Sequence, residues 1–333
     1  MYTAQKPLGW GIIGLGKIAH SFVRDLALVP EARLVAVGSR SREKADAFAQ
    51  QYAEDGQTPV TACDSYEALL ALEEVSVVYI ATPHTSHVEW SLKALAAGKH
   101  VLCEKPMAMT PEEVKQVTGL AREKGLFFME ALWSRFNPAV QKAIHYAQEG
   151  HLGKLSYVQA DFGFFALDRD PDSRLLNPEL GGGSLWDIGI YPIFWAYQLL
   201  GMPTSMVVAQ TRALTGVDAQ LRIDFLYPEA TAQLLSSFAT FSSMTAQVGG
   251  TSGSVLLHPR WHETDRLTLQ TPERGIETEV FQLDGKGYTY EIREVIQCIS
   301  QGRLESLLWS HQNSWELNSL LADVAESANS SGT

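Results

Sequence analysis

A lysine with a proline behind it closes a short apolar run, His100-Val101-Leu102-Cys103-Glu104-Lys105-Pro106. Short apolar runs that end in a turn signal read as buried strands. In an open α/β sheet, ligands gather just beyond the carboxyl ends of such strands. Pro106 also restricts the backbone of the lysine before it. A lysine at a strand tip beside an apolar wall loses solvation and can shift its pKa, which suits it to proton and oxyanion chemistry. A second candidate is Gly181-Gly182-Gly183-Ser184-Leu185-Trp186-Asp187-Ile188-Gly189-Ile190-Tyr191. On a helix, Asp187 and Tyr191 are i and i+4 and share a face. A phenol titrates near ~10, and a neighbouring ammonium favours its phenolate, making it a usable proton donor or acceptor. Each has a plainer reading when taken alone: a solvated turn lysine, a packed tyrosine and a solvated aspartate.

The third candidate is Gly14-Leu15-Gly16-Lys17-Ile18-Ala19, a G-x-G-x-x-A directly after a strand and opening a helix. Gly14 permits the tight turn, Gly16 lets a pyrophosphate approach the backbone, and Ala19 allows close helix–sheet packing. A glycine-rich turn without a ligand is the alternative. The second strand ends in Gly38-Ser39-Arg40-Ser41-Arg42, without the acidic residue that selects NAD. Ser39 with Arg40 and Arg42 suits a 2′-phosphate, because guanidinium pairs with phosphate bidentately. NADP is therefore the expected cofactor, with NAD as the alternative. Thr82 and Pro83 line the nicotinamide side. His84 and His87 read as cap or rim residues, and His87, Glu104 and Lys105 complete the cofactor contacts. Trp133, Arg135 and Phe136 are candidates to wall a substrate pocket, and Arg174 and Asn177 to reach substrate hydroxyls. No His/Cys/carboxylate cluster of ligand spacing appears, so no metal is expected.

These residues need a scaffold. Strands are expected at Leu8–Gly14, Arg33–Gly38, Thr58–Thr61, Val75–Thr82, the run before Lys105, and Leu126–Met129. Helices are expected between them, one of them N-capped by Asp64. Such alternation implies a doubly wound parallel Rossmann sheet over residues 1–130. From 131 to 333 the rhythm changes. Helices are expected at Pro138–Glu149 and Leu185–Leu200. Strands are expected at Leu155–Phe165, Met206–Arg212, Gln220–Tyr227, Thr231–Ala239, Thr245–Gly249, Arg266–Gln270 and Glu277–Gln282. Several alternate in polarity, the habit of an antiparallel sheet with one buried face. Tyr290–Ile299 and Ser310–Ala328 read as closing helices, with a frayed tail from Ser327. The fold class is α/β: a Rossmann domain, then a substrate-binding α/β domain with an open, mainly antiparallel sheet that also serves oligomerisation.

Bulk properties narrow the partners. The chain has 333 residues and a formal net charge of −12, with no dense Lys/Arg cluster, which argues against nucleic acid and membrane surfaces. Three scattered cysteines, Cys63, Cys103 and Cys298, imply reduced thiols. No signal-peptide pattern and no bilayer-length apolar run appear, so the expected location is cytoplasmic.

The motifs occur together and in order: G-x-G-x-x-A at 14–19, V-x-Y-I-A-T-P at 77–83, G-K-H-V-L-C-E-K-P at 98–106 and G-G-G-S-L-W-D-I-G-I-Y at 181–191. The chain thereby resembles the glucose–fructose oxidoreductase / inositol dehydrogenase (Gfo/Idh/MocA) family. Met129–Pro138 and Ser173–Pro178 are most similar to its branch of dimeric dihydrodiol dehydrogenase and NADP-dependent xylose dehydrogenases. The resemblance covers nearly the whole chain. It implies the two-domain fold above, a catalytic role for Lys105, proton transfer by Tyr191 where other members carry histidine, and Asp187 as the acidic partner. It also implies that the lysine meets the later helix at the nicotinamide and lowers the tyrosine pKa. The expected reaction is hydride transfer between nicotinamide and a carbinol or carbonyl of a polyol, sugar or trans-dihydrodiol, in a homodimer formed through the second sheet. The competing readings are a non-catalytic dinucleotide sensor of the same fold and another nicotinamide-dependent reaction on this scaffold.

Overall fold

The computed structural model of the chain describes residues 7–53 and 59–330. They form two compact units, between which the chain passes more than once. The first takes the chain through Ala108, then Glu112–Trp133 and Asp284–Ser314, and the second takes Met109–Pro111, Ser134–Leu283 and the chain from Trp315. The segment 284–314, expected with the C-terminal helices of the second domain, thus clusters with the first unit. A helix's apolar periodicity says that it covers something, not what it covers.

The first unit alternates β1 (Leu8–Ile13), α1 (Lys17–Leu26), β2 (Ala32–Gly38), α2 (Arg42–Ala53), β3 (Thr61–Cys63), α3 (Tyr66–Leu70), β4 (Val77–Ile80), α4 (His87–Ala96), β5 (His100–Glu104), α5 (Pro111–Lys124) and β6 (Phe128–Ala131). The six strands are all parallel, in the order β3-β2-β1-β4-β5-β6. The order reverses between β1 and β4, which opens a crevice at their carboxyl ends. Strands covered on both faces should be continuously apolar; Ile12, Ile13, Val77, Val78, Val101 and Leu102 are fully buried. The third strand starts later than expected, and Thr58 lies outside the described residues. Ser65, not Asp64, caps α3, its hydroxyl accepting from Ala68 N at 3.2 Å. The sixth strand begins at Phe128 because Leu126 N–H still bonds Ala121 O and Phe127 N–H is taken by His100 Nδ1, each at 2.9 Å. That shift places Glu130 inside the strand.

The second unit carries α6 (Pro138–Gln148), β7 (Leu155–Gly163), α7 (Ile190–Leu200) and β8 (Ser205–Arg212). Next come β9 (Asp218–Leu226), β10 (Thr231–Ser237), β11 (Ala246–Gly250), β12 (Gly253–Leu257), β13 (Arg266–Thr271) and β14 (Gly275–Val280). Its eight strands run β14-β13-β12-β11-β7-β10-β9-β8, antiparallel except for the β7–β10 pair. α6 and α7 pack on one face of this sheet. β12 was not expected: Gly253-Ser254 after Gly250-Thr251-Ser252 reads as loop, yet the strand pairs on both sides. The chain ends with α8 (Tyr288–Ser300), in the first unit, and α9 (His311–Ser330). α9 extends past the expected fraying point at Ser327, and residues 331–333 lie outside those described.

The N-terminus of α8 is fixed from far away in sequence. Asp25, near the end of α1 and 3% exposed, accepts N–H bonds from Lys286 and Gly287 at 2.9 Å and from Tyr288 at 2.8 Å. The Gly287 and Tyr288 N–H groups are orphan donors of the helix start, and a carboxylate there also stabilises the positive end of the helix dipole.

Candidate functional site

In the first unit, the β1–α1 turn has the shape an anionic dinucleotide needs. Gly14 sits at φ +90°, and a Cβ there would lie 2.5 Å from Ala81 O at the tip of β4. Gly16 has φ −87°, so its need is not conformational. A Cβ at Gly16 would meet nothing within 4 Å, which leaves open space over the helix start. No side chain caps α1 and no acidic residue stands in its first turn, so its first N–H groups and dipole face that space. Ala19 is fully buried, as close packing requires, while Ile18 is 44% exposed on the open side and Lys17 is exposed. Thr82 Oγ1 is buried without a hydrogen-bond partner at the β4 tip, beside the half-buried Pro83. The residues present therefore fit a nicotinamide dinucleotide.

Beyond β2, Ser39 is buried and its hydroxyl accepts the Ser41 N–H at 3.1 Å. Arg40 is exposed. Burial raises the Tyr66 pKa, and the Arg40 charge opposes that rise. Arg42 is exposed and gives its Nε to Asp46 on the next turn of α2 at 3.0 Å.

Lys105 follows β5 and is half-buried, joined to Pro106 by a cis peptide bond. Three buried or half-buried side chains tie down the backbone around it. Glu104 Oε2 accepts the N–H of Lys105 at 3.3 Å. His87 Nδ1 meets the carbonyl of Pro106 at 2.8 Å. Glu130 Oε1 accepts the N–H of Met107 at 3.0 Å. The supports are themselves held. Tyr79 donates its hydroxyl to Glu104 Oε1, and burial, then the Glu104 charge, pushes the Tyr79 pKa well up. Glu130 takes the indole N–H of Trp309 at 3.2 Å. Its pKa is raised by burial, while the bond from Met107 and the Lys105 charge oppose that. Behind this layer lies Glu291, fully buried on α8, with neither carboxyl oxygen hydrogen-bonded.

The second unit presents the other predicted cluster. Leu185–Gly189 is a π-helical turn running into α7, not the expected α-helix throughout. Such turns widen a helix locally and recur at functional sites. The glycine run before it is demanded by sterics: Gly183 has φ +120°, and a Cβ there would lie 2.3 Å from Asp218 Oδ1. Asp218 Oδ2 in turn accepts from Ser184 Oγ at 2.8 Å and Leu185 N at 2.7 Å, fixing the start of the π turn from β9. Burial raises the Asp218 pKa against those bonds.

Asp187 is 8% exposed and accepts from Arg174 Nη1 at 2.7 Å. Tyr191 is 5% exposed, its ring centroid 5.5 Å from Phe162 and 5.4 Å from His262. His262 stacks on Phe162 at 4.3 Å. Thus Arg174, Asp187, Tyr191 and its aromatic surround occupy one region of this unit.

The remaining candidates are placed by packing. Trp133 stacks flat on Tyr288 at 4.6 Å within the first unit. Phe136 is 1% exposed and Arg135 8% exposed. Asn177 caps a short 3-10 turn, its Oδ1 accepting from Glu179 N at 2.9 Å. Sequence reasoning missed Glu130, Asp218 and His262. Only Glu130 carried a signal, an acidic residue beside an apolar strand.

Comparison with known proteins agrees with this construction. Residues 8–132 match the model of an oxidoreductase family with an NAD-binding Rossmann fold. Residues 140–256 match the GFO/IDH/MocA C-terminal domain. The human trans-1,2-dihydrobenzene-1,2-diol dehydrogenase is 34% identical over 329 residues, covering 96% of this chain and 95% of that protein. The pig enzyme of the same name is 35% identical over 330 residues, with the same coverage. Among solved structures, the aldose-aldose oxidoreductase from Caulobacter crescentus superposes with TM-score 0.88 at 27% identity, covering 98% of each chain. A 3-ketoreductase from Actinomadura kijaniata, solved with NADP and TDP-benzene, gives TM-score 0.84 at 25% identity, covering 97% of this chain and 98% of that one. With both halves matched in order, the chain belongs to the GFO/IDH/MocA family of NAD(P)-binding oxidoreductases.

Proposed function

We propose that this protein is an NADP-dependent dehydrogenase that interconverts a carbinol and a carbonyl on a sugar or trans-dihydrodiol. The observation that carries the reading is Lys105, held by Glu104, His87 and Glu130 at the carboxyl edge of a sheet with an open dinucleotide cradle. Gly14, Gly16, Lys17, Ile18 and Ala19 hold the pyrophosphate through backbone amides. Thr82, Pro83 and the Glu104–Lys105 segment support the nicotinamide end. The bound nicotinamide supplies the hydride donor or acceptor. Tyr191 exchanges the hydroxyl proton with the substrate oxygen, and the Lys105 ammonium stabilises negative charge as it develops on that oxygen. Asp187, oriented by Arg174, accepts a bond from a neighbouring substrate hydroxyl and so fixes which carbon faces the cofactor. The printed names of the relatives, a diol dehydrogenase and an aldose oxidoreductase, support the substrate class.

Ser39 and Arg40 carry the NADP preference, since an exposed guanidinium beyond β2 can clasp a 2′-phosphate. Arg42 contributes less because Asp46 already holds it. The homodimer uses the uncovered face of the eight-stranded sheet. The strand register sets Val207, Leu226, Ile276 and Val280 on that one face, each 38% or more exposed.

Screening aldoses and trans-diols with NADP and NAD tests the reading. Tyr191→Phe and Lys105→Met should each lower kcat on an identified substrate at least about a hundredfold. Near-wild-type kcat in both would overturn the mechanism. An unchanged NADP-to-NAD ratio of kcat/KM in Arg40→Ala would overturn the cofactor assignment.

A further inference from the structure

His87 opens α4 and is fully buried. Its ring nitrogens reach two different strand tips. Nδ1 lies 2.8 Å from Pro106 O after β5, and Nε2 lies 2.8 Å from Thr82 O after β4. Both partners are backbone carbonyl oxygens, which only accept. A neutral imidazole offers one donor and one acceptor, so in either tautomer one contact would set a lone pair against a lone pair. Only the imidazolium supplies two donors.

We propose that His87 is held as a buried imidazolium that positions Lys105 by tying the tips of β4 and β5 together through Thr82 and Pro106. Two short bonds to carbonyl dipoles solvate the charge in place of water, which a buried cation requires. The titratable groups that meet this junction come from three elements. His84 is on the same turn, its ring 5.7 Å from that of His87. Glu104, the last residue of β5, and Lys105 precede Pro106, and Glu130 of β6 accepts the Met107 N–H.

The mechanical consequence follows from proline chemistry. Pro106 has no N–H, so its carbonyl is the only backbone hydrogen-bonding group through which that residue can be held. Glu104 secures the amide before it, Glu130 the amide after it, and His87 the carbonyl between. The long lysine side chain then starts from a fixed Cα. Deprotonation of His87, or its replacement by a side chain with only one donor nitrogen, releases either Thr82 or Pro106. The inference rests on the proposed role of Lys105, with His87 as a positioning residue that never touches substrate.

The test is spectroscopic and kinetic. In protein labelled with 15N-histidine, the His87 resonances, assigned through their own backbone, should report both ring nitrogens protonated at pH 7.5, where exposed histidines are neutral. His87→Gln replaces two separated ring donors with a single donor nitrogen; it should lower kcat about tenfold or more, while the substrate KM changes by less than about threefold. A neutral tautomer at pH 7.5, or kcat within twofold of wild type in His87→Gln, overturns the proposal. Should His87→Gln fail to fold, the wild-type spectrum decides alone. Lys105→Met separates the two readings: full activity there sinks the lysine role, whereas the nitrogen spectrum does not depend on it.

Discussion

Glu291 makes a quantitative prediction about stability and pH. Its carboxyl is fully buried on α8, neither oxygen has a hydrogen-bond partner, and its pKa is raised well above the ordinary 4.5, first by burial and then by the charges of Glu104 and Asp25. In the folded chain it is therefore neutral across a pH range where the unfolded chain carries it ionised. Within that range the folded state binds one more proton than the unfolded state, so stability falls as pH rises. The slope is about 1.4 kcal/mol per pH unit, starting near the ordinary carboxyl value and ending at the raised folded value. Glu291→Gln keeps the volume and removes the titration, leaving only a constant offset from burying the amide. The assay is urea unfolding of both proteins at intervals between pH 5 and pH 7.5. The variant should gain on the wild type as pH rises above the ordinary carboxyl range. A stability difference that stays flat over that range refutes the neutral buried carboxyl.

Three further perturbations test how the elements are held. Asp25→Ala strips acceptors from three backbone N–H groups at the start of α8. Losing a cap and leaving buried donors unmatched should cost about 3–5 kcal/mol, read as a lower urea midpoint. Gly183→Ala forces a side chain into φ +120° against Asp218; it should cost about 2 kcal/mol or more and reduce kcat while leaving NADP affinity intact. Arg174→Ala removes a charge-assisted bond whose arginine is 46% exposed. After screening, its effect should be about 1 kcal/mol, seen as roughly fivefold in kcat/KM with little change in melting temperature.

What could be read from the chain beforehand divides along a physical line. Features encoded locally were legible. The G-x-G-x-x-A turn, the apolar runs of the parallel sheet and the alternating strands of the second sheet each carry their signal within a dozen residues. So did Lys105, because a proline after a buried strand marks a tip. Features made by distant partners were not. Asp25 serves N–H groups some 261 positions away, and nothing near Asp25 distinguishes it from a solvated helix aspartate. Asp218 holds a helix start from another strand, and the π turn at Leu185–Gly189 looks in sequence like any amphipathic helix. Glu130 slipped into the sixth strand only because Leu126 and Phe127 were bonded elsewhere. His87 shows the same limit most sharply. Its place at a strand-to-helix junction was legible, but which atoms face its two nitrogens was not. Two carbonyls from two strands do so, and no one-dimensional pattern records their convergence. The place of Lys105 at a strand tip was therefore legible, while the means of holding it there became visible only when α4, β5 and β6 were brought together.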